Sequence, residues 1–319
     1  MAFGGTLHIN TLGGSGLRIP CVAMGCAQLG ADVTGSDAIT LVRAALAEGL
    51  TFFDTADVYA GGESERLLGR ALRGRHDECV VATKYRHGAC PGAGRKSVRV
   101  AVDGSLRRLG VDYIDLFQLH APDPATPLAE TVGALQDLVG QGKILYFGLG
   151  NTTAADALAA AELASPRVPV TSVQAPMSLL DIARLDALGQ LANRTGIGLL
   201  AAAPLARGLL AGSYDLGRRP PPGHALLSRK GFGYWTDRGR AVAERVRQVA
   251  ATHGTTPVRV ALSAVLDHPG VSAVVVGCRS REQLSGCADV RPGLLDPLTI
   301  EQLRGVLTTD TISSKEPIT

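Results

Sequence analysis

Lysine is scarce in this chain of 319 residues: Lys and Arg together number 32, and only five of them are Lys. The skew, with the richness in Ala and Gly, reads as a GC-rich coding bias, and it makes each Lys worth locating. Acidic residues number 29, for a net charge of +3. That balance excludes the strongly basic surfaces of nucleic-acid or membrane-surface binders. Apolar runs are short: the longest, at 260–266 and 271–277, fall far below the roughly 18 residues of a membrane span. No basic stretch leads into an apolar run at the N-terminus, so no secretory signal is expected and the cytoplasm is the expected location. The six cysteines include no C-x-x-C pair and no His at zinc spacing, so isolated thiols and no metal site are expected. Low-complexity blocks are missing too, which confines expected disorder to the ends. The dinucleotide fingerprint G-x-G-x-x-G is also missing: Gly148-Leu149-Gly150 is followed by Thr153 where the third Gly belongs, which argues against a Rossmann sheet.

What is present is an alternation of short apolar runs with amphipathic stretches. Strands are expected at 19–25, 52–54, 80–84, 114–120, 146–150, 172–174, 198–202 and 273–277. Helical patterns lie near 36–49, 63–73, 96–109, 128–141, 153–164, 181–194, 239–253 and 257–267, with Asp37, Thr126 and Thr153 as starts and Gly49, Gly110 and Gly254 as stops. Near-continuous apolar strands separated by helices imply a parallel sheet covered on both sides. Eight such units predict an α/β fold, a (β/α)8 TIM barrel. An N-terminal β-hairpin (7–10 and 17–19, turning at Gly13-Gly14) would close its floor. The gap from Gly208 to Asp237, with Pro220-Pro221-Pro222, reads as a long loop after strand seven. One domain over 1–319 is expected, with a core of about 7–290 and a C-terminal helix and tail at 291–319.

Chemistry in a barrel gathers at the carboxyl ends of the strands. The polar residues there are Asp54, Lys84, His120, Asn151 and Gln174, with Tyr59 five residues beyond Asp54. Singly, each has an ordinary explanation as a helix cap, a solvated Lys or a core His; at consecutive strand ends they form a constellation.

The run Phe53-Asp54-Thr55-Ala56-Asp57-Val58-Tyr59 with Gly62-Glu63-Ser64-Glu65 resembles the signature of the aldo-keto reductase superfamily. So do Ala82-Thr83-Lys84, Ser105-Leu106-Arg107-Arg108-Leu109, Gln118-Leu119-His120, Pro204-Leu205-Ala206-Arg207-Gly208 and Gly277-Cys278-Arg279-Ser280, in order along about 7–290. The resemblance implies a barrel that binds NADPH, less often NADH, and a catalytic tetrad of Asp54, Tyr59, Lys84 and His120. The chemistry agrees. Reducing a carbonyl needs a proton donor at the developing alkoxide, and an adjacent ammonium makes a phenol a better acid. Lys84 would supply that charge, Asp54 would hold Lys84, and His120 would donate to the carbonyl oxygen.

The same resemblance implies that Asn151 and Gln174 hold the nicotinamide carboxamide and that backbone N–H groups of Leu205-Ala206-Arg207-Gly208 meet the pyrophosphate. Gly277, Arg279, Ser280 and Gln283 would take the adenosine end, Arg279 favouring NADPH and Gln283 standing where many members have an Arg. Three positions depart from the family pattern: Gly150 replaces a Ser, Ala202-Ala203 replaces Tyr-Ser, and Gly286-Cys287 replaces Glu-Asn. Substrate contacts are expected from Cys26, Tyr85 and Trp235, with Arg86, Ala121, Phe232 and Tyr234 nearby. Few aromatic walls suit a small polar carbonyl or sugar. Three activities remain open on sequence alone: a carbonyl reductase, an NAD-dependent aldose dehydrogenase, and a non-catalytic cofactor-binding regulatory subunit. A homo-oligomer is left open as well.

Overall fold

The computed structural model describes residues 8–88, 90–222, 224–227, 233–287 and 290–305. Among them, eight parallel strands close into a barrel. In chain order these are β3 (Val22–Gly25), β4 (Phe52–Asp54), β5 (Val80–Tyr85), β6 (Ile114–Leu119), β7 (Ile144–Gly150), β8 (Ser172–Pro176), β9 (Gly198–Ala202) and β10 (Val271–Gly277), with β10 pairing back to β3. An antiparallel hairpin, β1 (Ile9–Thr11) with β2 (Arg18–Pro20), precedes them. The expected strand 19–25 is therefore two strands. Pro20 has no N–H for a ladder, and at Cys21 the chain leaves the hairpin, with the Cys21 N–H donating to His8 O. Residue 7 of the expected hairpin lies outside the described residues.

The period of two along the strands sets the interior. Phe52, Ala82, Leu116, Leu200 and Ala273 are buried inside the barrel, and Leu12 and Ile19 of the hairpin join them as its floor. Burying a side chain such as Phe52 contributes about 1.5–3 kcal/mol. Gly13 (φ +56°) makes the plug fit: a Cβ there would run into the backbone of Gly196 and Gly198. One step further along the same faces, the apolar interior gives way to polar groups. Asp54 follows Phe52, Lys84 follows Ala82, and Gln118 follows Leu116.

The helices α1 (Gly35–Ala47), α2 (Glu63–Ala71), α3 (Arg95–Leu109), α4 (Leu128–Gly140), α5 (Ala154–Leu163), α6 (Ile182–Thr195), α7 (Asp237–Thr252) and α8 (Pro257–Leu266) bury their apolar stripes on the outside of the strands and on one another. Thr153, Thr236 and Thr256 cap α5, α7 and α8 through their side-chain oxygens. Asp37 and Thr126 do not cap: α1 starts after Thr34 and α4 after Pro127. Two short helices follow β10, α9 (Arg281–Gly286) and α10 (Pro297–Gly305). The long segment after β9 carries single-turn helices at Ala206–Ala211 and Ala225–Leu227. It packs Leu209, Leu226 and Tyr234 onto α7 and α8 in a second apolar cluster. Among the described residues, no helix is long and apolar enough to cross a membrane.

Candidate active site

The four residues expected from the motif meet at the carboxyl end of β4, β5 and β6. Neighbouring strands set them in register: Asp54 stands beside Ala82 of β5, and Lys84 beside Gln118 of β6. Lys84 Nζ donates to Asp54 Oδ2 at 2.6 Å and to Thr55 O at 3.0 Å. Both partners are nearly fully buried. Gln174 Nε2 donates to the other Asp54 oxygen, Oδ1, at 3.0 Å. The Asp54 carboxylate thus has a partner on each oxygen, as burying a charge requires.

Tyr59 reaches this pair from a tight turn at Tyr59–Gly62, and Lys84 Nζ lies 5.4 Å from its ring centre. The His120 ring meets the Tyr59 ring edge-on at 5.9 Å. The turn is anchored from below. Thr55 Oγ1 and Ser64 Oγ are 2.8 Å apart, and Ser64 donates to Cys26 O. Fully buried Glu65 accepts from Thr83 Oγ1 and from Arg108 Nε.

Burial opposes the expected influence of Lys84 on Tyr59. Burial pushes the Tyr59 phenol above its ordinary value, and Lys84, the largest opposing influence, does not overcome it because the Asp54 carboxylate acts with burial. Lys84 itself is pushed up: burial acts to lower it, but Asp54 and Tyr59 together outweigh burial. His120 is pushed down to about 4 by burial and then by the positive charges of Lys84, His87 and Arg86. Its imidazole is therefore neutral at pH 7, with Nδ1 buried and without a partner.

The expected cofactor residues form an arc from β7 to β10. Asn151 (φ +49°) donates through Nδ2 to His120 O at 2.8 Å, and its N–H bonds Gln174 O. Gly150 has a structural reason to be glycine, since a Cβ would come within 2.7 Å of the carbonyls of Leu119 and His120. Ala206, Arg207 and Gly208 all have positive φ. The Ala206 and Gly208 N–H groups donate within the turn, to Ala203 O and Leu205 O. Gly208 contributes its left-handed backbone, and its N–H closes the turn.

After β10, Ser280 caps α9 by accepting from Gln283 N, and Gln283 Oε1 accepts from Arg279 N. Arg279 Nε donates to Asp32 Oδ2 at 2.6 Å. Gly277 lies against Gln28, whose Oε1 is buried without a partner, and a Cβ at Gly277 would approach Gln28 Nε2 to 2.6 Å.

Of the expected substrate contacts, Cys26 and Tyr85 are fully buried and present no surface, because Cys26 lies in the main core with Sγ facing Met24 O and Tyr85 stacks on Phe117. Trp235 packs partly buried on the cluster over α7, with the Arg240 guanidinium 5.5 Å from its ring. Phe232 lies outside the described residues.

Sequence reasoning passed over several groups. Gln118 is fully buried inside the barrel with both amide atoms unpartnered; its place two residues before His120 was a usable signal. His87 stands edge-on to His120 at 5.7 Å and bonds Arg86 Nη1. Asp57 is buried, and burial, then Glu65, raises it to about 6. Among the described residues no cluster of metal-ligating side chains occurs, and all six cysteines are free thiols.

A sequence model of the Aldo/keto reductase family matches residues 22–307. The chain is 27% identical to the glycerol dehydrogenase AKR11B4 from Gluconobacter oxydans, covering 98% of each chain with a TM-score of 0.82. It is 25% identical to a thermostable aldo-keto reductase, Tm1743, solved with the inhibitor epalrestat. That alignment covers 94% of this chain and 100% of the other, with a TM-score of 0.78.

Proposed function

The chain belongs to the aldo/keto reductase family, and from that premise we propose that this oxidoreductase transfers hydride between a nicotinamide cofactor and a carbonyl or alcohol carbon, with Tyr59 as general acid and base. The observation that carries the reading is the buried Lys84–Asp54 pair lying against the Tyr59 ring, with neutral His120 edge-on to the same ring. The site fits a nicotinamide dinucleotide on three counts. Gln28 Oε1 is an orphaned buried acceptor beside the glycine cradle at 277. Ala202 leaves the β9 end without a bulky side chain. Asn151 and Gln174 have committed their amino groups to His120 O and Asp54, which suits their carbonyl oxygens to accept from a carboxamide.

Reduced nicotinamide, when bound, supplies the hydride. The chain's own residues do the rest. His120 donates a hydrogen bond to the carbonyl oxygen and holds it toward Tyr59. Tyr59 Oη passes its proton to that oxygen as the carbon accepts hydride, so a C–H and an O–H bond form and the carbonyl π bond is lost. The tyrosinate left behind faces the Lys84 ammonium, whose charge stabilises it most at that moment. Asp54 and Thr55 O hold the ammonium in place. In the oxidising direction Tyr59 takes the alcohol proton.

A second reading within this chemistry is oxidation of a polyol or aldose. The similarity to a glycerol dehydrogenase and the absence of an aromatic at Ala202 favour it. The family resemblance points to NADPH through Arg279, with NADH as the other choice. The test is a turnover screen of aldehydes, ketones, aldoses and polyols with NADPH, NADH, NADP+ and NAD+. The proposal expects many turnovers with at least one pair. Cofactor consumption that stops at one equivalent per chain would instead favour a regulatory subunit.

A further inference from the structure

The turn after β10 and the start of α9 each carry an arginine, and each meets an acid from the segment between β3 and β4. Arg279 Nε donates to Asp32 Oδ2 at 2.6 Å, and Arg281 Nη2 lies 3.3 Å from Glu48 Oε1. Gln283, on α9, is folded back onto Arg279 N. Both side chains of the first pair are exposed, at 60% for Arg279 and 49% for Asp32, so the pair faces solvent where a ligand can reach it.

The backbone under Asp32 is fixed. Asp32 N and Val33 N both donate to Gln28 O, Gly30 N donates to Val33 O, and Leu29 is fully buried. Gly30 (φ +85°) packs against Ala60 and Glu63 so closely that a Cβ would reach 2.9 Å from Ala60 Cβ. The acid is therefore presented by a rigid turn braced against the Tyr59 turn. Gln28 of the same turn touches Gly277.

Resting on the reading that residues 277–283 take the adenosine end of the cofactor, we infer that Asp32 determines cofactor specificity and selects NAD(H) over NADP(H) by holding Arg279. A ribose 2′-phosphate carries close to two negative charges at pH 7 and seeks a guanidinium fork. Here it would meet a guanidinium already neutralised, with a carboxylate beside it. A 2′-hydroxyl meets the same pair differently, because it can donate to Asp32 and accept from Arg279. Discrimination comes from the repulsive partner as much as from the attractive one. Selection of NAD(H) departs from the NADPH expected from Arg279 alone.

The test is calorimetric titration of the full chain with NADH and with NADPH, without substrate, for wild type, Asp32→Ala and Asp32→Ala/Arg279→Ala. The expected ratio Kd(NADPH)/Kd(NADH) is above one in the wild type. It falls by up to about fivefold in Asp32→Ala, since one exposed pair is worth up to about 1 kcal/mol. The double variant loses the NADPH gained by the single one. A wild-type ratio at or below one, or a ratio that Asp32→Ala leaves unchanged, overturns the inference and leaves the proposed function standing. Failure of the wild type to bind either dinucleotide overturns the proposed function and the inference with it.

Discussion

Two ion pairs of equal length stand near opposite ends of the proposed cofactor path. Lys84–Asp54 and Arg279–Asp32 both measure 2.6 Å, yet the first is about 95% buried on each side and the second is half exposed. Distance alone does not say what a pair does. Inside the barrel mouth, water screens little, the charges are held by Thr55 O and Gln174, and the field of the ammonium falls on Tyr59. At the rim, solvent weakens the attraction, and the pair matters for what it offers or denies a ligand. In the proposed account one pair serves chemistry and the other serves choice.

Breaking the buried pair should have the largest effect. Lys84→Met is expected to lower kcat by about 10²–10⁴ and to destabilise the fold by about 3–5 kcal/mol, because it strands the Asp54 carboxylate. The double variant Lys84→Met/Asp54→Asn is expected to recover most of the stability in urea unfolding and none of the turnover. Recovery of turnover as well would mean that the charge on Lys84 is dispensable.

His120→Ala comes next, with an expected loss of about 10²–10³ in kcat for one missing donor to the carbonyl oxygen. In the wild type, protonation of His120 is expected to appear in the kcat/KM profile near pH 4. An inflection near 6.5 that vanishes in His120→Ala would contradict the neutral imidazole.

Asp57 sharpens the comparison through pH. Its folded value, raised to about 6, contributes stability that is present below about pH 4 and lost as pH rises through 6. His120, depressed to about 4, works in the opposite sense, its contribution being lost as pH falls from 6.5 through 4. Asp57→Asn removes the first influence alone. Relative to wild type, the variant's Tm should therefore improve between pH 4.5 and 7, and a constant Tm difference would contradict the assignment.

The smallest effect belongs to the exposed pair. Arg279→Ala is expected to change unfolding stability by less than about 1 kcal/mol, even where it changes cofactor affinity. A loss of several kcal/mol would make the pair a structural brace.

The barrel was legible because its signals are local. Apolar runs of strand length bounded by Gly and Pro mark β7 and β10, and the step of two from Phe52 to Asp54 and from Ala82 to Lys84 places polar groups at the mouth. Lys scarcity, uninformative as composition, became informative at Lys84, where a flexible ammonium differs from a guanidinium. What was not legible is non-local. Asp32 and Arg279 are 247 residues apart, and no spacing rule pairs them. The commitment of the Gly208 N–H to Leu205 O depends on three successive positive φ values. The reason for Gly150 lies in the carbonyl of His120, on the neighbouring strand's end. The net upward push on Tyr59 is a balance of burial against Lys84, which residue identity alone does not weigh.

The most direct measurement is hydride transfer by Tyr59→Phe with the best substrate of the turnover screen, run beside calorimetric titration of the same variant with its cofactor. The account predicts a kcat lower by about 10²–10⁴ with a cofactor Kd within about twofold of wild type, because only the phenolic oxygen is removed. A variant that retains wild-type kcat would contradict the assignment of Tyr59 as the proton donor.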